Sequence, residues 1–437
     1  MHIPTQEHWN ETVTRESSRG KLERVKEVKS FMIKNWQDRY SDNIKEFQGY
    51  SIGKIFKYLN NPEIISLAGG LPSPEMFQVF EMRLASQKRL EEDIYTIMQY
   101  TAVPGEITLI DAILGFLKRD NINIQEENLV VTSSGQHGLD LTGRLFLNPG
   151  DIVMLDRPTF AGAIVAFQMQ RPKIIGIDLQ EDGVDVDSYK IKLEELVKKG
   201  QKPKFIYVVP DFQNPSGITT GLEKRKALLE LSYKYDIPIV EDSPYRDLRY
   251  RGETVPSIFS LDQQNGGSNV IGLYTFSKLF CPGIRVGFNI GPADVINRMT
   301  NIKEANILNT PKYNQDMCTE FLTTMGFDKH INKCRKYYRE KLDLFLQTME
   351  ECFPPEMGVT WTKPEGGLFL WVTVPEHIDT NELFMEAIKY KVAFVPGEVF
   401  YGENPSKNHM RINFSFASKE QLTEAVKRLS KCIKAYV

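Results

Sequence analysis

Between Leu129 and Ile290 the chain repeats one pattern: a short apolar run that stops at polar residues, then a segment of helical spacing. The runs are Leu129–Thr132, Asp151–Leu155, Phe205–Val209, Ile237–Glu241, Val270–Thr275 and Val286–Ile290. Helical periods fall on Leu139–Phe146, Gly162–Met169 and Leu222–Tyr235. Runs apolar at nearly every position, not every second one, belong to strands covered on both faces, so the pattern predicts an α/β chain with a mostly parallel sheet flanked by helices. Open sheets of this kind bind ligands at the carboxyl ends of their strands. Polar residues collect at those ends: Ser134 after the first run, Asn214 after the third, Asp242 after the fourth, and Ser277 with Lys278 after the fifth.

Past about Asn306 the order changes. Helical spacing covers Tyr313–Met325, Phe327–Phe353, Thr380–Tyr390 and Lys419–Tyr436, and strands are expected at Gly366–Val372, Val392–Val395 and Met410–Phe416. These make a smaller α+β domain. A chain of 437 residues exceeds one ordinary core. The division predicted is an N-terminal arm at 1–48, a large domain at 49–305 and the small domain at 306–437. Within the arm, Val25, Val28, Phe31, Met32 and Trp36 share a broad face of a helical period over Gly20–Phe47, which would pack on the main body. Leu67–Pro74, punctuated by Gly and Pro, reads as a loop, and Leu109–Lys118 as a helix.

Composition excludes several classes. The formal net charge is only −3, so nothing draws the chain to nucleic acid or an anionic membrane. No window is apolar enough to span a bilayer and Met1–Arg15 lacks a signal-peptide core, which predicts a cytoplasmic protein. The five cysteines lack CxxC spacing and the six histidines are dispersed, so no metal site is expected and the thiols should be free.

The chemistry centres on Tyr274-Thr275-Phe276-Ser277-Lys278 and the following Pro282-Gly283-Ile284-Arg285-Val286-Gly287. A lysine amine forms a Schiff base with a carbonyl compound, and Thr275, Ser277 and Arg285 can donate to a phosphate. Taken alone, Lys278 could equally be a surface lysine after a strand. Asp242 could pair with the protonated ring nitrogen of an aldehyde cofactor, or cap a helix before Pro244. Tyr245 and Asn214 could donate to a phenolic oxygen, though Asn214-Pro215-Ser216-Gly217 is also an ordinary turn composition. Ser134-Gly135-Gln136 precedes a helix, whose first amides make an anion site. Phe160 could stack on a ring or fill the core. Arg411, between apolar neighbours, needs a partner if buried, which a substrate carboxylate would supply; on an edge strand it would face water.

Taken together and in this order, these motifs resemble the fold-type I pyridoxal-phosphate aminotransferases, in the branch of 2-aminoadipate, kynurenine, aromatic and multi-substrate enzymes. The resemblance covers about residues 50–437. It implies a seven-stranded, mostly parallel sheet, pyridoxal 5'-phosphate as cofactor, and transfer of an amino group from an L-α-amino acid of aromatic, 2-aminoadipate or branched-chain type to a 2-oxo acid such as 2-oxoglutarate. It assigns Lys278 as Schiff-base lysine and proton shuttle, Asp242 to the ring nitrogen, and Asn214 and Tyr245 to the phenolic oxygen. Gly135, Gln136, Thr275, Ser277 and Arg285 surround the phosphate, Phe160 stacks on the ring, and Arg411 grips the substrate carboxylate, with Gly70 in a nearby loop. Tyr100 matches a tyrosine that reaches the phosphate of a neighbouring subunit, so a homodimer with shared sites is implied. Two positions depart: Ser134-Gly135-Gln136-His137 stands where many relatives read Gly-Ser-Gln-Gln, and Phe160 where tyrosine is usual. The same scaffold supports lyases, and the effector-binding half of some transcription regulators; the latter would need a DNA-binding module that the short arm does not provide.

Overall fold

The chain pairs β1 (Ile65–Ser66) with a later strand and then lays down one large sheet. Its strands are β2 (Leu129–Thr132), β3 (Ile152–Arg157), β4 (Lys173–Gln180), β5 (Gly183–Val184), β6 (Phe205–Val208), β7 (Ile239–Asp242), β8 (Val270–Thr275) and β9 (Gly287–Ile290), in the spatial order β2-β9-β8-β7-β6-β3-β4-β5. The computed structural model describes residues 35–47, 49, 58 and 61–436. Strands β4, β3, β6, β7 and β8 run parallel to their neighbours in that series, whereas β9 is antiparallel to both β8 and β2. The short Pro282–Ile284 turn reverses the chain between β8 and β9, so no crossover helix intervenes and antiparallel pairing follows. The eighth strand, β5, is a two-residue addition beyond β4.

Alternation within each strand splits the core in two. Phe205 and Tyr207 of β6 join Val153, Leu155 and Val240 on one face, while Ile206 and Val208 join Met154 and Ile239 on the other. Both faces are covered, as the continuous apolar runs require. The helix Gly135–Phe146 begins earlier than the period from Leu139 suggested. Its start is set by Ser134, held at φ 104°, a conformation that turns the strand end abruptly into the helix. The sequence reading also passed over β4 and the helices Val79–Ile97, Val186–Lys198, Ile258–Gln264 and Ala293–Ile307. β4 mixes exposed and buried positions, and Val79–Ile97 leaves many apolar residues exposed, so neither shows a clean period.

The C-terminal part carries a smaller antiparallel sheet of β10 (Thr360–Trp361), β11 (Phe369–Thr373), β13 (Val395–Pro396) and β14 (His409–Asn413), ordered β10-β11-β14-β13. The partner of β1 is β12 (Val392–Ala393). The long helix Phe327–Cys352 packs on the helix Lys419–Lys434, which starts with a Ser418/Gln421 capping box. Met1–Phe47 and Gln48–Val437 form separate units. In the first, a 3-10 turn at Gln37–Arg39 and a short helix at Asp42–Glu46 are seen, and Trp36 is exposed. The remainder of the helical period expected from Gly20 lies outside the described residues.

Candidate active site

The carboxyl ends of β2, β6, β7 and β8 open onto a cavity of about 260 Å³. Lys278, three residues past β8, is half-buried there; its Nζ donates to the Gly70 carbonyl at 2.6 Å. Burial, with Arg411 and Arg285 nearby, brings the Lys278 ammonium down to about 8. At neutral pH this amine gives up its proton far more readily than a surface lysine does.

Asp242 closes β7 and is 6 % exposed. It caps no helix. Burial pushes its carboxyl up to about 7, against the pull of a hydrogen bond donated by the Tyr207 hydroxyl at 2.8 Å. A carboxylate held in a buried pocket without a cation is costly and favours a cationic ligand.

The loop after β6 carries Asn214. Its Nδ2 donates to the Tyr245 hydroxyl at 3.5 Å, while its Oδ1 accepts from Arg411 Nη1 at 2.9 Å. The turn at Asn214–Gly217 therefore exists, and it presents a side chain that bridges two other site residues. Arg411 lies on β14, between β11 and β13, so it does not sit on a sheet edge. Its Nη2 donates to the Ala68 carbonyl at 2.7 Å, and its guanidinium lies 4.4 Å from the Phe369 ring centre and 5.0 Å from that of Phe400. Two ring contacts and two backbone or side-chain acceptors hold the planar fork in place.

A candidate anion cradle also lines the cavity. The first turn of the helix Gly135–Phe146 lies beside Thr275, whose Cβ would be 3.5 Å from a Cβ placed on Gly135, and amides at a helix start attract an anion. Thr275 Oγ1 donates to Ser277 Oγ at 3.0 Å and accepts from the Ser277 amide at 3.2 Å. Arg285 Nη1 reaches Ser277 Oγ at 3.5 Å and the Pro282 carbonyl at 3.2 Å. Gly287 makes the cradle possible: a Cβ there would stand 2.5 Å from the Tyr274 carbonyl and 3.0 Å from the Gly135 nitrogen. Gln136 lines the cavity, but its amide is engaged with the Gly162 carbonyl at 2.8 Å. Phe160, half-buried before the helix Ala161–Gln168, forms an aromatic wall.

Of the residues singled out in the sequence, Gly70, Gly135, Gln136, Phe160, Asn214, Asp242, Tyr245, Thr275, Ser277, Lys278, Arg285 and Arg411 all line this one cavity. Tyr100 does not; it stands 77 % exposed after the helix Val79–Ile97. The sequence reading missed Ala68, whose carbonyl holds Arg411, and Tyr207, hidden within an apolar strand. No group of metal-ligating side chains is found among the described residues, and all five cysteines are free. An amine of lowered basicity, a buried acid wanting a cation, a phosphate-type cradle and an arginine fork suit a phosphorylated pyridine aldehyde and a carboxylate substrate together.

A family model described as aminotransferase class I and II matches residues 63–429. The aromatic-amino-acid aminotransferase 1 of Thermococcus litoralis is 38% identical over 412 residues, 94% of this chain and 98% of that one. A kynurenine aminotransferase of Pyrococcus horikoshii superposes with a TM-score of 0.87 at 38% identity, covering 95% of this chain and 99% of that one. The alpha-aminoadipate aminotransferase of Thermus thermophilus, complexed with N-(5'-phosphopyridoxyl)-L-leucine, superposes with a TM-score of 0.85 at 32% identity, covering 92% and 98%.

Proposed function

From the premise that this chain belongs to the class I and II aminotransferases, pyridoxal-phosphate enzymes that move an amino group between an amino acid and a 2-oxo acid, we propose that it takes aromatic or 2-aminoadipate-type L-amino acids as donors and 2-oxoglutarate as acceptor. The observation that carries the reading is the convergence of Lys278, Asp242, Asn214, Tyr245 and Arg411 on one cavity beside an anion cradle. The names of the relatives, aromatic-amino-acid, kynurenine and alpha-aminoadipate aminotransferases, support the donor class.

Bound pyridoxal phosphate supplies a carbonyl for amine exchange and a ring that accepts electron density. The protein's part follows from its side chains. The Gly135 and Gln136 amides, with Thr275, Ser277 and Arg285, hold the phosphate. Asp242 keeps the ring nitrogen protonated, and Asn214 and Tyr245 donate to the phenolic oxygen. Phe160 supplies the aromatic wall. Arg411 takes the substrate α-carboxylate on its fork, which fixes the α-carbon relative to Lys278. With the cofactor bound, Lys278 would hold its carbonyl carbon covalently; once replaced by a substrate amine, Lys278 would be placed to take the α-proton and deliver it to that carbonyl carbon, two atoms along, and its lowered basicity suits both roles.

We also propose a homodimer and a cytoplasmic setting. Val79, Phe80, Leu84, Tyr95, Met98 and Tyr100 are exposed apolar or aromatic residues on and just after one helix, many for one short stretch to leave in water. A second copy docked there would cover these residues and carry Tyr100 towards its neighbour's phosphate. The free thiols fit a reducing compartment. No helix among the described residues is long and apolar enough to cross a membrane.

The test mixes purified, cofactor-loaded protein with single amino acids and follows the near-visible absorbance, then adds 2-oxoglutarate. Conversion to pyridoxamine phosphate by aromatic donors or 2-aminoadipate, reversed by the oxo acid, is expected. Release of ammonia with no pyridoxamine form would overturn the reading in favour of a lyase.

A further inference from the structure

We propose that Tyr207 is the positioning residue for the ring-nitrogen carboxylate: its phenol holds Asp242 ionised and oriented, so that the acid can bind a protonated pyridine. The inference rests on the reading of Asp242 given above.

Tyr207 sits in the middle of β6, in a run that the sequence presents as plain core. Its ring is fully buried and meets Phe167 edge-on at 5.5 Å, inside the apolar cluster on that face of the sheet. Packing alone would be met by phenylalanine, as Phe205 shows two residues earlier on the same face. A hydroxyl in such a place is unfavourable unless partnered. Its partner is Asp242 Oδ2, at 2.8 Å on the neighbouring strand. The register makes this possible: Tyr207 pairs with Val240, which places Asp242 two residues further along the same face.

From the side of Asp242, Tyr207 is the hydrogen-bond donor found among the described residues. Among the described residues no lysine or arginine pairs with this carboxyl, unlike Asp211, which has Arg225 and Arg246. Burial drives Asp242 towards its neutral form, and the Tyr207 bond is the opposing effect. A neutral acid could not hold the ring cationic. With one oxygen tied to Tyr207, the other remains for a ligand in the cavity that Asp242 lines. A second buried pair joins a helix to the sheet, Tyr189 donating to Asp156 at 3.0 Å, but Asp156 does not line the cavity. The Tyr207 pair is the one whose far end meets the site.

The experiment is a double-mutant cycle of Tyr207→Phe and Asp242→Asn, read as the affinity of the cofactor-free protein for pyridoxal 5'-phosphate by absorbance titration. A hydrogen bond to a charged group is worth about 1.5–3 kcal/mol, so Y207F should bind the cofactor roughly 10- to 150-fold more weakly. In the D242N background the same change should move affinity by less than about twofold, because the group through which Tyr207 acts is gone. The 15N resonance of ring-labelled cofactor should shift towards the unprotonated position in Y207F. Y207F with parental affinity and an unshifted resonance would overturn the proposal. So would an equal loss in both backgrounds, or a Y207F chain that no longer folds, since either assigns the phenol to the core. The Asp242 reading has its own readout: D242N binding like the parent would sink that reading, whereas weak binding by D242N beside normal binding by Y207F would sink only the role of Tyr207.

Discussion

Replacing Arg411 with lysine keeps the charge and removes the fork, which makes it the sharpest test of the carboxylate site. In the structure the guanidinium spends one nitrogen on Asn214 Oδ1 at 2.9 Å and another on the Ala68 carbonyl at 2.7 Å, with the ring centres of Phe369 and Phe400 at 4.4 and 5.0 Å. These contacts fix the plane so that a carboxylate can meet it at two points. An ammonium is a point donor and cannot serve Asn214, Ala68 and a bidentate ligand at once. Losing one charge-assisted bond to the substrate costs about 1.5–3 kcal/mol, or roughly 10- to 150-fold in kcat/KM. The bond is made to the carboxylate in the ground state as well as later, so most of the loss should fall on KM. The assay is steady-state transamination of one L-amino acid, run beside the corresponding amine that lacks the α-carboxylate. R411K should lose activity on the acid and leave the slow reaction of the amine within a few-fold. A variant whose kcat/KM on the acid stays within about threefold of the parent would refute the assignment, because a lost bond of this class costs more than that.

Other outcomes follow from the same geometry. Reductive trapping of pyridoxal phosphate on the cofactor-free protein should rise with pH and level off above about 8, since burial and the two arginines hold the Lys278 ammonium there; a rise continuing towards pH 10 would contradict the buried setting. Gly287→Ala should destabilise the fold by about 1–3 kcal/mol in urea unfolding and weaken cofactor binding, because the added methyl meets the Tyr274 carbonyl at 2.5 Å and the Gly135 nitrogen at 3.0 Å; parental values of both would refute the close packing of the cradle. Asp211 is pushed up by burial but held down further by Arg225 and Arg246, to about 2. Its pKa is depressed on folding, so its contribution is full above the unfolded carboxylate range and is lost as pH falls from about 4 towards 2. Urea midpoints at pH 5 and pH 3 should fall less in D211N, whose starting stability is lower, than in the parent; equal falls would remove Asp211 from the acid response.

The chain's own order was enough to establish several things. Six apolar runs with polar ends between Leu129 and Ile290 demanded a sheet covered on both faces, and they placed Asn214, Asp242, Ser277 and Lys278 together at its carboxyl edge. That works because burial on both faces is written locally, residue by residue, as continuous hydrophobicity. Neighbour relations are not written this way. The order β2-β9-β8-β7-β6-β3-β4-β5, the reversal of β9, and the arrival of Arg411 from a different sheet are settled by how distant segments pack, and no local period records that. Ala68 contributes through a backbone carbonyl that any residue would carry. Tyr207 looked like core because its ring is core; only when β6 lies beside β7 does its hydroxyl, 2.8 Å from Asp242, become part of the site. A side chain's chemistry belongs to the sequence, but its partner is chosen by the tertiary fold, because hydrogen bonds and charge pairing act over a few ångströms of space whatever the separation along the chain.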